Sequence, residues 1–75
     1  MALVSLDNGT TEVDVSTISE QDVVNVLAHM LRGDWDCPAR NAVEYANGRS
    51  VTGRECLEVA AEKYTEETGG VYTLP

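Results

Sequence analysis

Residues 3–15 run LVSLDNGTTEVDV, and this stretch decides between an all-helical chain and one that mixes helix and sheet. Leu3–Leu6 is apolar enough for a strand. Asp7, Asn8 and Gly9 follow, and an Asn-Gly pair is a strong hairpin signal. Residues 10–15 then alternate, with Val13 and Val15 on a core side and Glu12 and Asp14 outward. The stretch predicts a β-hairpin.

Helical signals begin directly after it. Ser19 is a good N-cap, Asp22 stands three residues on, and Ile18 and Val23 flank the cap as a hydrophobic staple. Val23, Val26, Leu27, Met30 and Leu31 fall on one helical face, and Gly33 suits the position just past a helix end. A first helix over about 20–32 follows. Pro38 suits the first turn of a second helix, capped by Asp36 or Cys37. Ala39, Ala42, Val43 and Ala46 give it a small-residue stripe that lets a neighbour approach closely, and Asn47-Gly48 ends it. Thr52 and Glu55 form a capping box for a third helix, with Val51 and Cys56 as its staple. Cys56, Leu57, Val59, Ala60, Ala61 and Tyr64 supply its buried side, and Gly69 closes it. The tail Val71–Leu74 is β-prone. The expected order is β-β-α-α-α-β: one α+β domain over residues 1–75, its antiparallel sheet packed on the helices.

The chain has 75 residues, 43% of them hydrophobic, and no phenylalanine. One small core of Val, Leu, Ala, Ile and Met is expected, with Trp35 and the tyrosines added. Thirteen acids face five bases, for a net charge of -8. Residues 1–31 sum to -5, residues 32–54 to +1 and residues 55–75 to -4. That balance argues against direct nucleic-acid binding, which needs a basic patch, and permits binding to basic proteins. No apolar run approaches the roughly 18 residues of a membrane span. The start MALVSLDNG lacks the basic and apolar regions of a signal peptide. A cytoplasmic protein is expected, and two cysteines are too few for a disulfide framework.

The stretch 32–40, RGDWDCPAR, holds the sole tryptophan. Trp35 plugs the corner between two helices on one reading. On the other, Trp35 flanked by Asp34 and Asp36 is a partly exposed anchor, since tryptophan is enriched at interface hot spots. Arg32-Gly33-Asp34 matches an integrin tripeptide, a coincidence in an acidic cytoplasmic domain. His29 falls on the polar side of the first helix, near Asp22, Asn25 and Arg32, and is expected to be solvated. A nucleophile–base pair with Cys37 would need an orienting group and an oxyanion site, and neither is marked. One histidine and two cysteines without CxxC spacing leave a zinc ion short of a ligand. The phosphate-loop patterns GxxxxGKS/T and GxGxxG are absent. No catalytic residue, metal or cofactor is expected.

Glu55, Glu58, Glu62 and Glu66 recur at spacings of three, four and four, on the face opposite Leu57, Ala61 and Tyr64. Only Lys63 is placed to relieve them locally. Such a row is either a solvated face or an anionic surface for a basic partner. It is too sparse to imitate DNA alone: duplex DNA carries about one charge per 1.7 Å of axis, against about one per 6 Å here from the rise of an α-helix. A mimic would also need Glu12 and Asp14 from the hairpin or Asp34 and Asp36 from the corner. Glu20 and Asp22 have a simpler role beside a helix N-terminus.

A very short, acidic α+β chain without a catalytic signature resembles, as a class, small phage-encoded anti-defence proteins of the anti-CRISPR and antirestriction type. The resemblance covers size and charge, rests on no diagnostic residue and carries over no site residue. It implies an inhibitor that occupies the nucleic-acid-binding surface of a host effector, sometimes as a DNA mimic. The four arginines of residues 32–54 depart from a uniform mimic, and would pair with Glu44 or Glu55 or form a second contact surface. The expectation is a non-enzymatic inhibitor of a basic nucleic-acid-binding protein or complex, acting in a bacterial cytoplasm as a monomer rather than a dimer. Its partner face would be Glu55, Glu58, Glu62 and Glu66, with Asp34, Trp35 and Asp36. The alternative is a small interaction or regulatory subunit of a larger assembly, binding by apolar contacts. It would self-associate through the alanine-rich second helix or an exposed edge strand. A minimal cysteine-dependent enzyme is a third reading.

Overall fold

The computed structural model describes residues 2–32, 38–49 and 52–75. Strands β1 (Leu3–Leu6) and β2 (Thr11–Asp14) come first, then helices α1 (Glu20–Arg32), α2 (Pro38–Asn47) and α3 (Gly53–Thr68), then a short strand β3 (Tyr72–Thr73). This is the expected α+β order. β1 and β2 pair antiparallel, with Val4 opposite Val13 and Leu6 opposite Thr11.

The sheet is mixed rather than wholly antiparallel. Its strand order is β2-β1-β3, and β3 runs parallel to β1, with Val4 opposite Tyr72 and Ser5 opposite Thr73. A parallel neighbour needs a crossover longer than about a dozen residues, and the three helices provide one.

The hairpin connection is wider than a two-residue turn. Asp7, Asn8 and Gly9 have φ of 50°, 59° and 92°, a left-handed run that Asp, Asn and Gly tolerate best. The Thr10 amide donates to Asp7 O at 3.2 Å. At the other end of β2, the alternation stops at Asp14, and a short 3-10 turn over Val15–Thr17 swings Val15 fully into the core. The Asp14 carboxylate accepts from the Ser16 amide at 3.0 Å and the Ser16 hydroxyl at 2.9 Å.

The helix boundaries follow their caps. The Asp22 amide donates to Ser19 Oγ at 3.2 Å, and the Glu55 amide to Thr52 Oγ1 at 3.1 Å. Gly69, at φ 74°, ends α3 and donates to Thr65 O at 2.8 Å. Gly33, Asp36 and Cys37 at the corner, and Val51 of the expected staple, lie outside the described residues.

α1 buries Val23, Val26 and Met30, with Leu27 half-buried. Leu31, expected inward with them, is 45% exposed. At about 100° per residue it sits roughly 80° around the helix from Val23, beyond the arc that meets the core. All four stripe residues of α2, Ala39, Ala42, Val43 and Ala46, are buried, and α2 packs most extensively on α3. The stripe is an internal helix–helix contact, so it offers no face for self-association. The largest fully buried side chains are Met30, Leu57, Val4, Val15, Val23, Val26 and Val43.

Arg54 joins the layers. Its guanidinium donates to Val15 O at 2.6 Å and Ile18 O at 2.7 Å, and pairs with the Glu20 carboxylate at 2.7 Å. It therefore fixes the start of α3 against the chain between β2 and α1. Arg54→Met keeps the aliphatic stem but leaves two carbonyls without their donor. It should cost about 2 kcal/mol in urea unfolding, whereas Glu20→Gln should cost under about 1 kcal/mol. A near-wild-type urea midpoint for Arg54→Met would remove the clamp from this account.

The Ser16 amide and hydroxyl hold the Asp14 carboxyl below its ordinary value of 3.8. A depressed carboxyl stabilises the fold above its unfolded pKa, and that contribution fades as pH falls through the lower, folded value. Asp14→Ala should therefore lower stability at neutral pH and narrow its gap from wild type below pH 3.8. Unfolding curves at the two pH values would show the gap.

Candidate functional site

α3 sorts its side chains by helical period. Cys56, Leu57, Ala60 and Ala61 are buried, and Glu55, Glu58, Glu62 and Glu66 lie on the opposite side. Glu58 is half-buried and the other three are exposed. The rise of an α-helix spreads the row over about 16 Å. Lys63 Nζ lies 3.6 Å from Glu66 and 3.7 Å from Glu67, so Glu66 is partly neutralised. Glu55, Glu58 and Glu62 form no ion pair among the described residues. Glu55 stands in the first turn, where the helix dipole favours an anion. Glu58 and Glu62 are too far along α3 for that relief.

Several other acids are already engaged. Arg40 pairs with Glu44 at 3.1 Å. Arg54 takes Glu20 rather than Glu55, and Asp14 serves its own turn. Glu12 is exposed on β2, an outer strand of the sheet. Asp34, Trp35 and Asp36 lie outside the described residues. Among the described residues, the expected site residues that share one face are those of the α3 row.

A cationic aromatic cluster borders it. The Arg49 guanidinium lies 3.7 Å from the Tyr45 ring centroid and Lys63 Nζ lies 4.7 Å from it. Arg49 also donates to Tyr45 O at 3.1 Å. Lys63 thus links two features, touching the ring on one side and the glutamates on the other. The spacing of Tyr45 and Arg49, four apart with Arg49 just past the end of α2, was the available signal for half of this cluster.

His29 is not a free surface group. It is half-buried, its Nδ1 hydrogen-bonds the Tyr72 hydroxyl, and the two rings meet edge-on at 5.9 Å. Tyr64 packs edge-on against Tyr72 at 5.4 Å from the other neighbour, α3. No local pattern announced this, because Tyr72 arrives from the far end of the chain. The Cys56 thiol is buried and donates to Asn47 Oδ1 at 3.3 Å. Burial pushes its pKa up, which suppresses the reactive thiolate. Cys37 lies outside the described residues.

Among the described residues no three His, Cys, Asp or Glu side chains are grouped to hold a metal ion, no pocket opens and no helix is long and apolar enough to cross a membrane. A scan against protein-family models and searches of curated proteins and of solved structures return no match to this chain.

Repulsion within the row has a measurable consequence. Glu62 stands four residues from both Glu58 and Glu66, and like charges at that spacing cost a few tenths of a kcal/mol each. Glu62→Gln keeps helix propensity and should stabilise the protein by about 0.3 kcal/mol at low salt. The gain should vanish near 1 M salt, where the Debye length is about 3 Å. A gain that persists in high salt would mean that the row carries no electrostatic strain.

Proposed function

We propose that this chain is a non-enzymatic inhibitor that docks α3 onto a basic, nucleic-acid-binding surface of another protein or complex. The best candidates are bacterial CRISPR or restriction effectors, met as a monomer in the host cytoplasm. The observation that carries the reading is the row of Glu55, Glu58 and Glu62: three carboxylates on one helix face, Glu58 half-buried and the others exposed, without an ion pair among the described residues. An unpaired row is free to exchange its water for a partner's Lys and Arg side chains. The match is to cations spaced one helical turn apart, because the row carries one charge per about 6 Å, not the one per about 1.7 Å of duplex DNA. Inhibition is then steric and electrostatic competition at one edge of a groove, rather than imitation of a whole duplex. The class resemblance in size and charge supplies the choice of effector.

Opposite charge speeds encounter, so association should slow as salt rises. The decisive experiment is a tagged pull-down from nuclease-treated bacterial lysates containing such effectors, with a Glu58→Lys, Glu62→Lys, Glu66→Lys variant alongside. Circular dichroism confirms that the variant is folded. Wild type should retain a nucleic-acid-binding effector and the variant should lose it. Equal retention by both proteins, with binding indifferent to salt, sinks the acidic-face reading.

One observation favours a second reading, a small interaction subunit that binds through apolar contacts. Val24 and Leu31 are 59% and 45% exposed, stand seven residues apart on α1, and have half-buried Ala28 between them. If a captured partner is lost with Val24→Ser, Leu31→Ser and kept by the lysine variant, this reading replaces the first.

A further inference from the structure

The chain holds two Asn-Gly pairs, Asn8-Gly9 and Asn47-Gly48, and the fold treats them differently. Glycine after asparagine leaves the following backbone nitrogen unshielded and lets the chain bend toward the side-chain amide. Asn8 is exposed at the tip of the hairpin. Its side chain makes no hydrogen bond among the described residues. Its backbone is held at φ 59°, between Asp7 at 50° and Gly9 at 92°, a left-handed stretch that asparagine tolerates better than most residues other than glycine. Asn47 ends α2 in regular helix, and its Oδ1 is held by the Cys56 thiol at 3.3 Å.

We propose that Asn8 is a site of spontaneous deamidation, converting to aspartate and isoaspartate in preference to Asn47, and that the isoaspartate form loosens the C-terminal strand. The chemistry needs only water. The Gly9 backbone nitrogen gives up its proton and attacks Cγ of Asn8, a C–N bond forms, and the amide nitrogen leaves as ammonia. The cyclic imide then takes up one water. Opening at the side-chain carbonyl restores the backbone and leaves a carboxylate in place of the amide, the same product as Asn8→Asp. Opening at the main-chain carbonyl routes the chain through Cβ and Cγ and adds a backbone methylene. Either product adds one negative charge to the hairpin tip.

The second half of the proposal rests on what this turn holds. The Asn8 amide donates to Leu74 O at 2.9 Å, and the Leu74 amide donates to Ser5 O at 2.7 Å. A Cβ built at Gly9 would lie 3.9 Å from the Thr73 methyl. β3 has only two residues, so the turn contributes much of its attachment. The extra methylene enters between Cα of residue 8 and the Gly9 nitrogen, so it reshapes the turn that holds the residue 8 backbone N–H against Leu74 O, whereas a charge alone leaves the backbone path unchanged.

The test is a peptide map of the intact protein after prolonged incubation in mildly alkaline buffer, with isoaspartate identified by a protein isoaspartyl methyltransferase. Amide hydrogen exchange is then measured on the separated forms and on Asn8→Asp. The peptide containing Asn8 should acquire acid and isoaspartate many times faster than the one containing Asn47. Residues 72–74 should exchange faster in the isoaspartate form, and as in wild type in Asn8→Asp. Conversion of Asn47 at an equal or greater rate overturns the site assignment. Unchanged exchange in the isoaspartate form, or equal loosening by Asn8→Asp, overturns the backbone mechanism.

Discussion

The arrangement depends on one guanidinium. A sheet whose central strand has only four residues buries little area by itself, so it must be fastened to the helices at a defined place. Arg54 does this by taking the carbonyls of Val15 and Ile18, which lie in the 3-10 turn and the short connection between β2 and α1. Buried carbonyls without donors are costly. A planar donor fork is suited to two carbonyls and a carboxylate at once, which a lysine point charge is not. The same bonds position α3, because Arg54 stands in its first turn. The glutamate row faces away because the opposite side of α3, Leu57, Ala60 and Ala61, is buried, and Arg54 fastens the start of that helix.

Elements whose signals are local were legible in the sequence. Ser19, Thr52 and Gly69 each satisfy backbone groups within a few residues of themselves, and all three hold their expected places. The alanine stripe of α2 was legible as a close-packing face. The direction of β3 was not, because its residues carry no mark of which way they will run and the choice is made by the path of the chain through three helices. His29 was misplaced for a related reason. A helical wheel separates apolar from polar positions, and it has no knowledge of a tyrosine delivered by a strand at the other end of the chain. Leu31 shows the opposite failure: an apolar residue placed correctly on its arc, at an edge that the small core does not reach.

The acidic residues divide by what the fold asks of them. Glu20 balances the clamp, Glu44 stabilises one flank of α2 through Arg40, and Asp14 closes a turn. These would have been poor choices for a partner surface, and the sequence alone did not separate them from the rest. Their local roles appear only when the cations and amides around them are placed. Among the described acids left without such a role, Glu12 is exposed on an outer strand, and α3 carries an extended row on a helix that is well capped at both ends and buried along its opposite side.

That row has a polarity of its own. Lys63 draws charge from Glu66 and Glu67 while it touches the Tyr45 ring that Arg49 also covers. The C-terminal part of the row is thus internally compensated and its N-terminal part is not. On the proposed reading, a partner's cations would gain most at Glu58 and Glu62, where no helix dipole and no lysine competes, and least at Glu66, where binding would first displace an existing pair. The same geometry sets the limit of the surface on the α2 side, since a basic partner extending that way meets Arg49. A docking mode consistent with both features runs along α3 from its first turn and stops short of Tyr45.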